Sequence, residues 1–316
     1  MRCCDYAFPS EDGASTVRAR LWEPEGSGAG ERPRALVQII HGMSEHIGRY
    51  EWFAGELCKA GYAVCAHDQI GHGRTAAGPD DLGHLPIDGG AGLLLADVER
   101  AYEEACELFG VRDLPHVIFG HSLGSFIARV YLTRPGADAV GAVICGTGQQ
   151  PVPLARAGNA LCHILARVRG ERSRSHLVHA LAVGAYGRAI QDARTPFDWL
   201  STDSAVVDAY IADPLCGREF TVGGYAAVTE LAVAAQDRAL ANRIPRTLPM
   251  LFIAGEGDPV GDFGSGVQRA VEQYRALGMG RVQETVYPGM RHEILNEPHR
   301  GRVVADILAW LQGLGL

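Results

Sequence analysis

The amino-acid order predicts an α/β fold: a mostly parallel central sheet flanked by helices, with an inserted helical segment. Three observations carry the prediction. Short runs of β-branched and small residues alternate with helix-length stretches up to residue 146 and again after residue 247. A strand that feeds a helix and then another strand gives parallel pairs covered on both faces. One such run, Val117-Ile118, enters Phe119-Gly120-His121-Ser122-Leu123-Gly124-Ser125, a glycine-flanked serine at an abrupt strand-to-helix turn. Finally, residues 147–246 are helical in character without a convincing strand. The chain therefore divides into a core part at 1–146, a helical cap at 147–246 and the rest of the core at 247–316.

In chain order, residues 4–8 and 15–22 read as short strands, followed by a Gly- and Glu-rich surface turn at 25–32. Residues 37–40 have the apolar, β-branched character of a strand buried on both faces, and end at His41-Gly42-Met43. A helix over 50–60 stops at Gly61, and the strand over 62–66 leads to Asp68. The next stretch, Asp68-Gln69-Ile70-Gly71-His72-Gly73-Arg74-Thr75, carries two glycines that exclude helix, so it is a loop beyond a strand end. Mixed turns run to Gly90. Then come a helix over 93–108, a strand over 115–119, a helix over 123–132 and a strand over 139–145. Within the cap, 157–168, 177–190 and 225–240 are the helical pieces. The core resumes with a strand at 248–254, a helix at 264–277, a strand at 281–287 and a closing amphipathic helix at 301–311.

The 316 residues suffice for one large domain carrying an insertion. A net charge of -8 with no basic stripe argues against non-specific nucleic-acid binding. The eight cysteines include no C-x-x-C pair and mostly lie in apolar segments, so buried thiols are expected in preference to disulfides or a zinc site. The first residues lack an apolar targeting core, and no uncharged apolar run is long enough to span a bilayer; a cytoplasmic location is the default expectation.

The chemistry follows from the serine turn. A serine hydroxyl becomes a useful nucleophile when an imidazole removes its proton and a carboxylate fixes the imidazole tautomer. In G-x-S-x-G chains the acid and then the histidine come later in the sequence. The acid candidate is Asp258, in the Gly-rich turn Gly255-Glu256-Gly257-Asp258-Pro259-Val260 after an apolar run, with Glu256 and Asp262 as rivals that could cap the next helix. The base candidate is His292 in Pro288-Gly289-Met290-Arg291-His292-Glu293; His299 lies beyond that loop. An oxyanion would be held by the backbone N–H of Leu123, at a helix start, and of Met43, just beyond a buried strand.

Taken together, these segments resemble the α/β-hydrolases of the monoacylglycerol lipase and lysophospholipase group, also labelled serine aminopeptidase-like. The resemblance rests on His41-Gly42-Met43-Ser44-Glu45-His46-Ile47-Gly48-Arg49-Tyr50, residues 68–75, Gly120 to Gly124, Asp213-Pro214-Leu215, residues 255–260 and the run from Pro288 to Glu297. It implies an α/β-hydrolase fold, a Ser122, Asp258, His292 triad, Met43 and Leu123 as oxyanion donors, a helical cap over an acyl channel, and no cofactor or metal. It also implies that Glu45 and Arg49 sit at the polar end of the pocket near a glycerol headgroup; from their spacing alone, an i,i+4 ion pair is the other reading. His46 and His72 are implied as loop-organising, non-catalytic histidines. Two positions depart from the family pattern: Ile70 stands where arginine is usual, and Ser125 where glycine is usual.

The cap is the least family-like part. Leu161, Ile164, Leu165, Leu177, Leu181, Val183 and Ile190 supply apolar surface for a pocket, for packing, or for transient contact with a membrane surface. Arg167, Arg169, Arg172 and Arg174 form a basic interval, a solvated loop that could also meet anionic lipid. The expected activity is serine ester hydrolysis of a small-molecule lipid ester of the monoacylglycerol type. Lysophospholipase and broad carboxylesterase activity are the near alternatives. A peptidase would want a carboxylate cluster for a free amine, and the cap offers only scattered acids such as Asp192, Asp198 and Asp203. A non-catalytic ligand-binding member of the fold would be signalled by loss of a triad residue.

Overall fold

The computed structural model describes residues 1–26 and 32–316; the part of the expected surface turn at 27–31 lies outside the described residues. Among the described residues, eight strands form one sheet: β1 (Arg2–Pro9), β2 (Thr16–Glu23), β3 (Leu36–Ile40), β4 (Ala63–Asp68), β5 (His116–His121), β6 (Ala139–Cys145), β7 (Met250–Gly255) and β8 (Val282–Tyr287). Their spatial order is β1-β2-β4-β3-β5-β6-β7-β8. The β1–β2 hairpin is antiparallel and joins β4 antiparallel, whereas β4, β3, β5, β6, β7 and β8 are mutually parallel.

The central strands are buried on both faces, and the two-residue period of a strand sorts their side chains between two cores. Ile118, Ile144 and Phe252 face α2 (Gly90–Phe109), α3 (Leu123–Tyr131) and α10 (Ser265–Arg275), packing with Leu94, Val98, Ile127, Val267 and Val271. Their neighbours Val117, Val143 and Ile253 face α1 (Glu51–Lys59) and α11 (Arg300–Gly313), packing with Phe53, Leu57, Val303 and Ile307. Ile40 pairs with Gly120, so the chain leaving β3 runs beside the chain leaving β5. The strand ends that carry residues 41–43, 122, 258 and 292 thus share the carboxyl end of the parallel strands, where open α/β sheets place their ligands.

Between β6 and β7 lies a helical insertion: α4 (Val152–Arg169), α5 (His176–Ala182), α6 (Gly184–Arg188), α7 (Ser204–Ala212), α8 (Val222–Ala234) and α9 (Arg238–Ala241). The single helices expected over 177–190 and 225–240 are each broken in two, the first where Gly184 restarts the helix and the second where Asp237 caps α9 by accepting from the Ala239 and Leu240 amides. α7 was not anticipated because its residues are apolar almost all round and give no helical period; Asp203 caps it through the Ala205 amide. α4 lies along α8, and α8 packs on α2 and α3. Arg129 of α3, buried, ties both roots of the insertion: it donates to Thr147 Oγ1 (3.3 Å), the Gly148 carbonyl (3.2 Å) and Gln149 Oε1 (3.1 Å) at one root and to the Ala235 carbonyl (2.8 Å) near the other. No described helix is long and apolar enough to cross a membrane.

Candidate active site

The turn after β5 dictates the site. Ser122 adopts φ 53° and ψ -117°, a strained conformation for a residue with a side chain, at the start of α3. Crowding explains the two glycines: a Cβ on Gly124 would stand 2.0 Å from the Ile40 carbonyl oxygen, and one on Gly120 2.3 Å from the Gly124 carbonyl oxygen. Ser125, where the resemblance leads one to expect glycine, turns its hydroxyl back to the Ser122 carbonyl (2.5 Å), and Ile70, where it leads one to expect arginine, is absorbed into the apolar core. Both departures are thereby accommodated locally.

His292 is buried in the loop after β8, with Nδ1 2.8 Å from Asp258 Oδ2. The other Asp258 oxygen accepts from the Val260 amide at 2.8 Å. The rivals lie elsewhere: Glu256 is exposed and receives the Gly289 amide, and Asp262 is exposed and bonded to Ser265 and Arg269. His299 is exposed at the start of α11.

Ser122, His292, Met43 and Leu123 line one cavity of about 120 Å³, closed by Phe126 of α3 and by His179, Val183, Tyr186, Phe197, Trp199 and Tyr225 from the insertion. The Trp199 and His121 rings lie 5.0 and 4.8 Å from that of His292. The insertion also fixes both loops. Glu293 N donates to the Leu200 carbonyl (2.7 Å), while Ser44 Oγ donates to the Arg218 carbonyl (2.6 Å) and its own carbonyl receives the Tyr210 hydroxyl (3.0 Å). The Asp213-Pro214-Leu215 motif belongs to this seam, with Asp213 Oδ2 2.9 Å from His46 Nε2.

Glu45 is a buried hub. Its Oε1 accepts from the Gly42 amide (2.5 Å) and the Tyr50 hydroxyl (2.8 Å) and lies 3.1 Å from His121 Nδ1. Burial works against its ionised form, yet the hydrogen bond and charge of His121, with Arg49 behind them, hold it well below the usual carboxylate range. Burial likewise works against a charged His121, and Glu45 outweighs it, carrying that imidazole above its ordinary value. Arg49 does make the i,i+4 pair with Glu45 (2.9 Å), but its fork grips Glu293 at 2.6 and 2.6 Å. Glu45 borders the cavity; Arg49 is not among its lining residues. His72 is buried and pushed down to about 3 by burial, consistent with a neutral ring contacting the Ile70 carbonyl.

A family model described as serine aminopeptidase, S33, matches residues 31–299. The chain belongs to this family. It is 29% identical over 316 residues to a monoacylglycerol lipase of Mycolicibacterium smegmatis, covering 97% of this chain and 96% of that one. The monoglyceride lipase of Homo sapiens is 28% identical over 77% of this chain and 70% of its own. Among solved structures, a highly thermostable carboxyl esterase from Bacillus coagulans in complex with glycerol matches with a TM-score of 0.90 at 29% identity, covering 100% of both chains. This S33-family chain is a serine ester hydrolase of the α/β-hydrolase fold.

Several members of the site had no signal of their own in the sequence. Glu293 lies in the run that carries the resemblance but no role could be read for it there, and Trp199, Tyr186 and Tyr225 come from the insertion without a motif. All eight cysteines are free, and six are buried. Among the described residues, His46, Asp213 and Cys216 bring metal-type donor atoms within 4.8 Å of one another. His46 Nδ1, however, accepts the Gly48 amide, which leaves its proton on Nε2 facing Asp213. That arrangement is a completed hydrogen bond and does not fit a cation.

Proposed function

We propose that this S33-family hydrolase cleaves monoacylglycerol-like lipid esters by acyl transfer through Ser122. His292 takes the Ser122 proton during attack on the ester carbonyl, and Asp258 holds the imidazole tautomer and supports the imidazolium. The Met43 and Leu123 amides stabilise the tetrahedral oxyanion. His292 then protonates the leaving alcohol and activates the water that frees the acid. The observation that carries this reading is the shared cavity: serine, histidine and both donor residues border one largely apolar space, with the acid hydrogen-bonded behind the histidine. An apolar space beside a nucleophile suits an acyl chain.

Peptidase activity is disfavoured by charge. Among the described residues, the only carboxylates bordering the cavity, Glu45 and Glu293, are already engaged by His121 and Arg49 and offer nothing to a free ammonium. A broad carboxylesterase is the second reading, favoured by the small size of the cavity, about 120 Å³. The outer face of α4 and α5 supports transient contact with a lipid surface: Leu154, Ile164, Val168, Leu177 and Leu181 are all exposed there, beside exposed Arg167 and Arg169. Arg172 and Arg174 are instead tied down, Arg172 to Asp81 and Arg174 to the Asp80 and Leu82 carbonyls.

The test is a hydrolysis panel of monoacylglycerols, lysophospholipids and p-nitrophenyl esters of graded acyl length. Each buried methylene contributes about 0.8 kcal/mol, so kcat/KM rises roughly fourfold per added CH₂ until the channel is full. A flat profile across acyl lengths moves the enzyme to the carboxylesterase reading. Preference for lysophospholipid over monoacylglycerol of the same chain moves it to a lysophospholipase.

A further inference from the structure

We infer that Arg49 is a positioning residue, a strap between the oxyanion loop and the loop carrying the base, and not a ligand of the substrate headgroup. The inference rests on the acyl-transfer reading above and assigns this chain's Arg49 a part in it. The guanidinium spans two carboxylates far apart in sequence: one terminal nitrogen reaches Glu45 Oε2 (2.9 Å) and Glu293 Oε1 (2.6 Å), the other Glu293 Oε2 (2.6 Å). Its carbon lies 4.9 Å over the Tyr210 ring, and its side chain is 12% exposed. A guanidinium so engaged has little left to offer a substrate hydroxyl.

The far ends of the strap give it a function. Glu45 holds the Gly42 amide at 2.5 Å, the residue immediately before the proposed oxyanion donor Met43. Glu293 immediately follows His292 and is itself buried. A second link runs in parallel: His121, bonded to Glu45, has its Nε2 3.4 Å from the His292 carbonyl. The ring Glu45, His121, His292, Glu293, Arg49 therefore closes behind the reacting groups. A buried ion pair is weak evidence for stability, because desolvation offsets much of its attraction. Its rigid fork does fix the separation of two loops, and a misplacement of about 1 Å at reacting groups costs about 10²-fold in rate.

The experiment compares Arg49→Met, Arg49→Lys, Glu293→Gln and the double variant Arg49→Met/Glu293→Gln with wild type, on a monoacylglycerol and a p-nitrophenyl ester of the same acyl chain. The strap predicts a kcat loss of about 10- to 100-fold in Arg49→Met, equal for both substrates, with KM within about twofold. Arg49→Lys recovers part of the loss, since an ammonium cannot grip both carboxylates as a fork. The double variant removes the charge that Arg49→Met leaves stranded, so its melting temperature returns toward wild type while its kcat stays as low as that of either single variant. A purely structural role predicts that kcat recovers together with stability, which overturns the inference. So does wild-type kcat in folded Arg49→Met, or a loss confined to KM for the monoacylglycerol. Should Arg49→Met not fold, Glu293→Gln carries the same test, and wild-type kcat there overturns the strap. Failure of the acyl-transfer reading is separate and visible in wild type: a fluorophosphonate would then leave Ser122 unlabelled.

Discussion

Replacing Asp258 by asparagine changes one atom and predicts a large kinetic effect for a specific reason. Asp258 uses one oxygen for the Val260 amide (2.8 Å) and the other for His292 Nδ1 (2.8 Å), and it is wholly buried. Asparagine has a single acceptor oxygen. The buried Val260 amide has no water to turn to, and leaving it unpaired costs about 1–3 kcal/mol, so the amide oxygen stays there and the NH₂ group faces His292. Nδ1 must then accept, which moves the ring proton to Nε2, and an Nε2–H imidazole cannot take the proton of Ser122. A wrong tautomer of this kind lowers kcat by about 10⁴-fold, or about 5.4 kcal/mol at 1.36 kcal/mol per tenfold. KM changes little because Asp258 does not border the cavity. The assay is steady-state p-nitrophenol release at saturating ester, with a thermal melt to establish folding. Glu256→Gln and Asp262→Asn are the controls and keep wild-type turnover. Asp258→Asn within about tenfold of wild type, with Glu256→Gln strongly impaired, refutes the reasoning.

Two further predictions concern the scaffold. Gly124→Ala drives a methyl to 2.0 Å from the Ile40 carbonyl oxygen, a clash with backbone that no rotamer relieves, and it should cost at least about 3 kcal/mol in denaturant unfolding or abolish folding; near-wild-type stability would mean that the nucleophile turn is wrongly placed. Asp97, buried on α2 against Ser10 and the Glu11 amide, is raised by burial to about 6 despite those hydrogen bonds. A raised folded value means that its stabilising contribution is full below about pH 4 and is lost as pH rises through about 6. Asp97→Asn, neutral throughout, should therefore exceed wild type in stability above pH 7 by at most about 3 kcal/mol, a gap that closes near pH 4. A gap of equal size at both pH values contradicts the assignment.

The sequence carried the parts of this fold that local chemistry controls. Runs buried on both faces became β3 through β7, and the glycines around Ser122 marked the turn because nothing larger fits beside the Ile40 carbonyl at Gly124 or beside the Gly124 carbonyl at Gly120. The acid and base candidates were legible because each sits in a short polar loop just after a strand, and parallel register brings such loops to the same, carboxyl end of the sheet. Long-range choices were not legible. Arg49 looked equally suited to a headgroup or to Glu45, and its strongest partner, Glu293, lies 244 residues away. The insertion was hardest to read: α7 has no amphipathic period, α5 and α6 share one apolar stretch, and Trp199 meets His292 only through tertiary packing.

The central claim, acyl transfer through Ser122, is most directly tested by intact-mass and peptide mapping after brief treatment with a fluorophosphonate, in wild type and Ser122→Ala. Wild type should gain a single adduct, located on Ser122 and matched by complete loss of esterase activity, and folded Ser122→Ala should gain none. An adduct on another residue that accompanies the loss of activity, or labelling of Ser122→Ala at the wild-type rate, would contradict it.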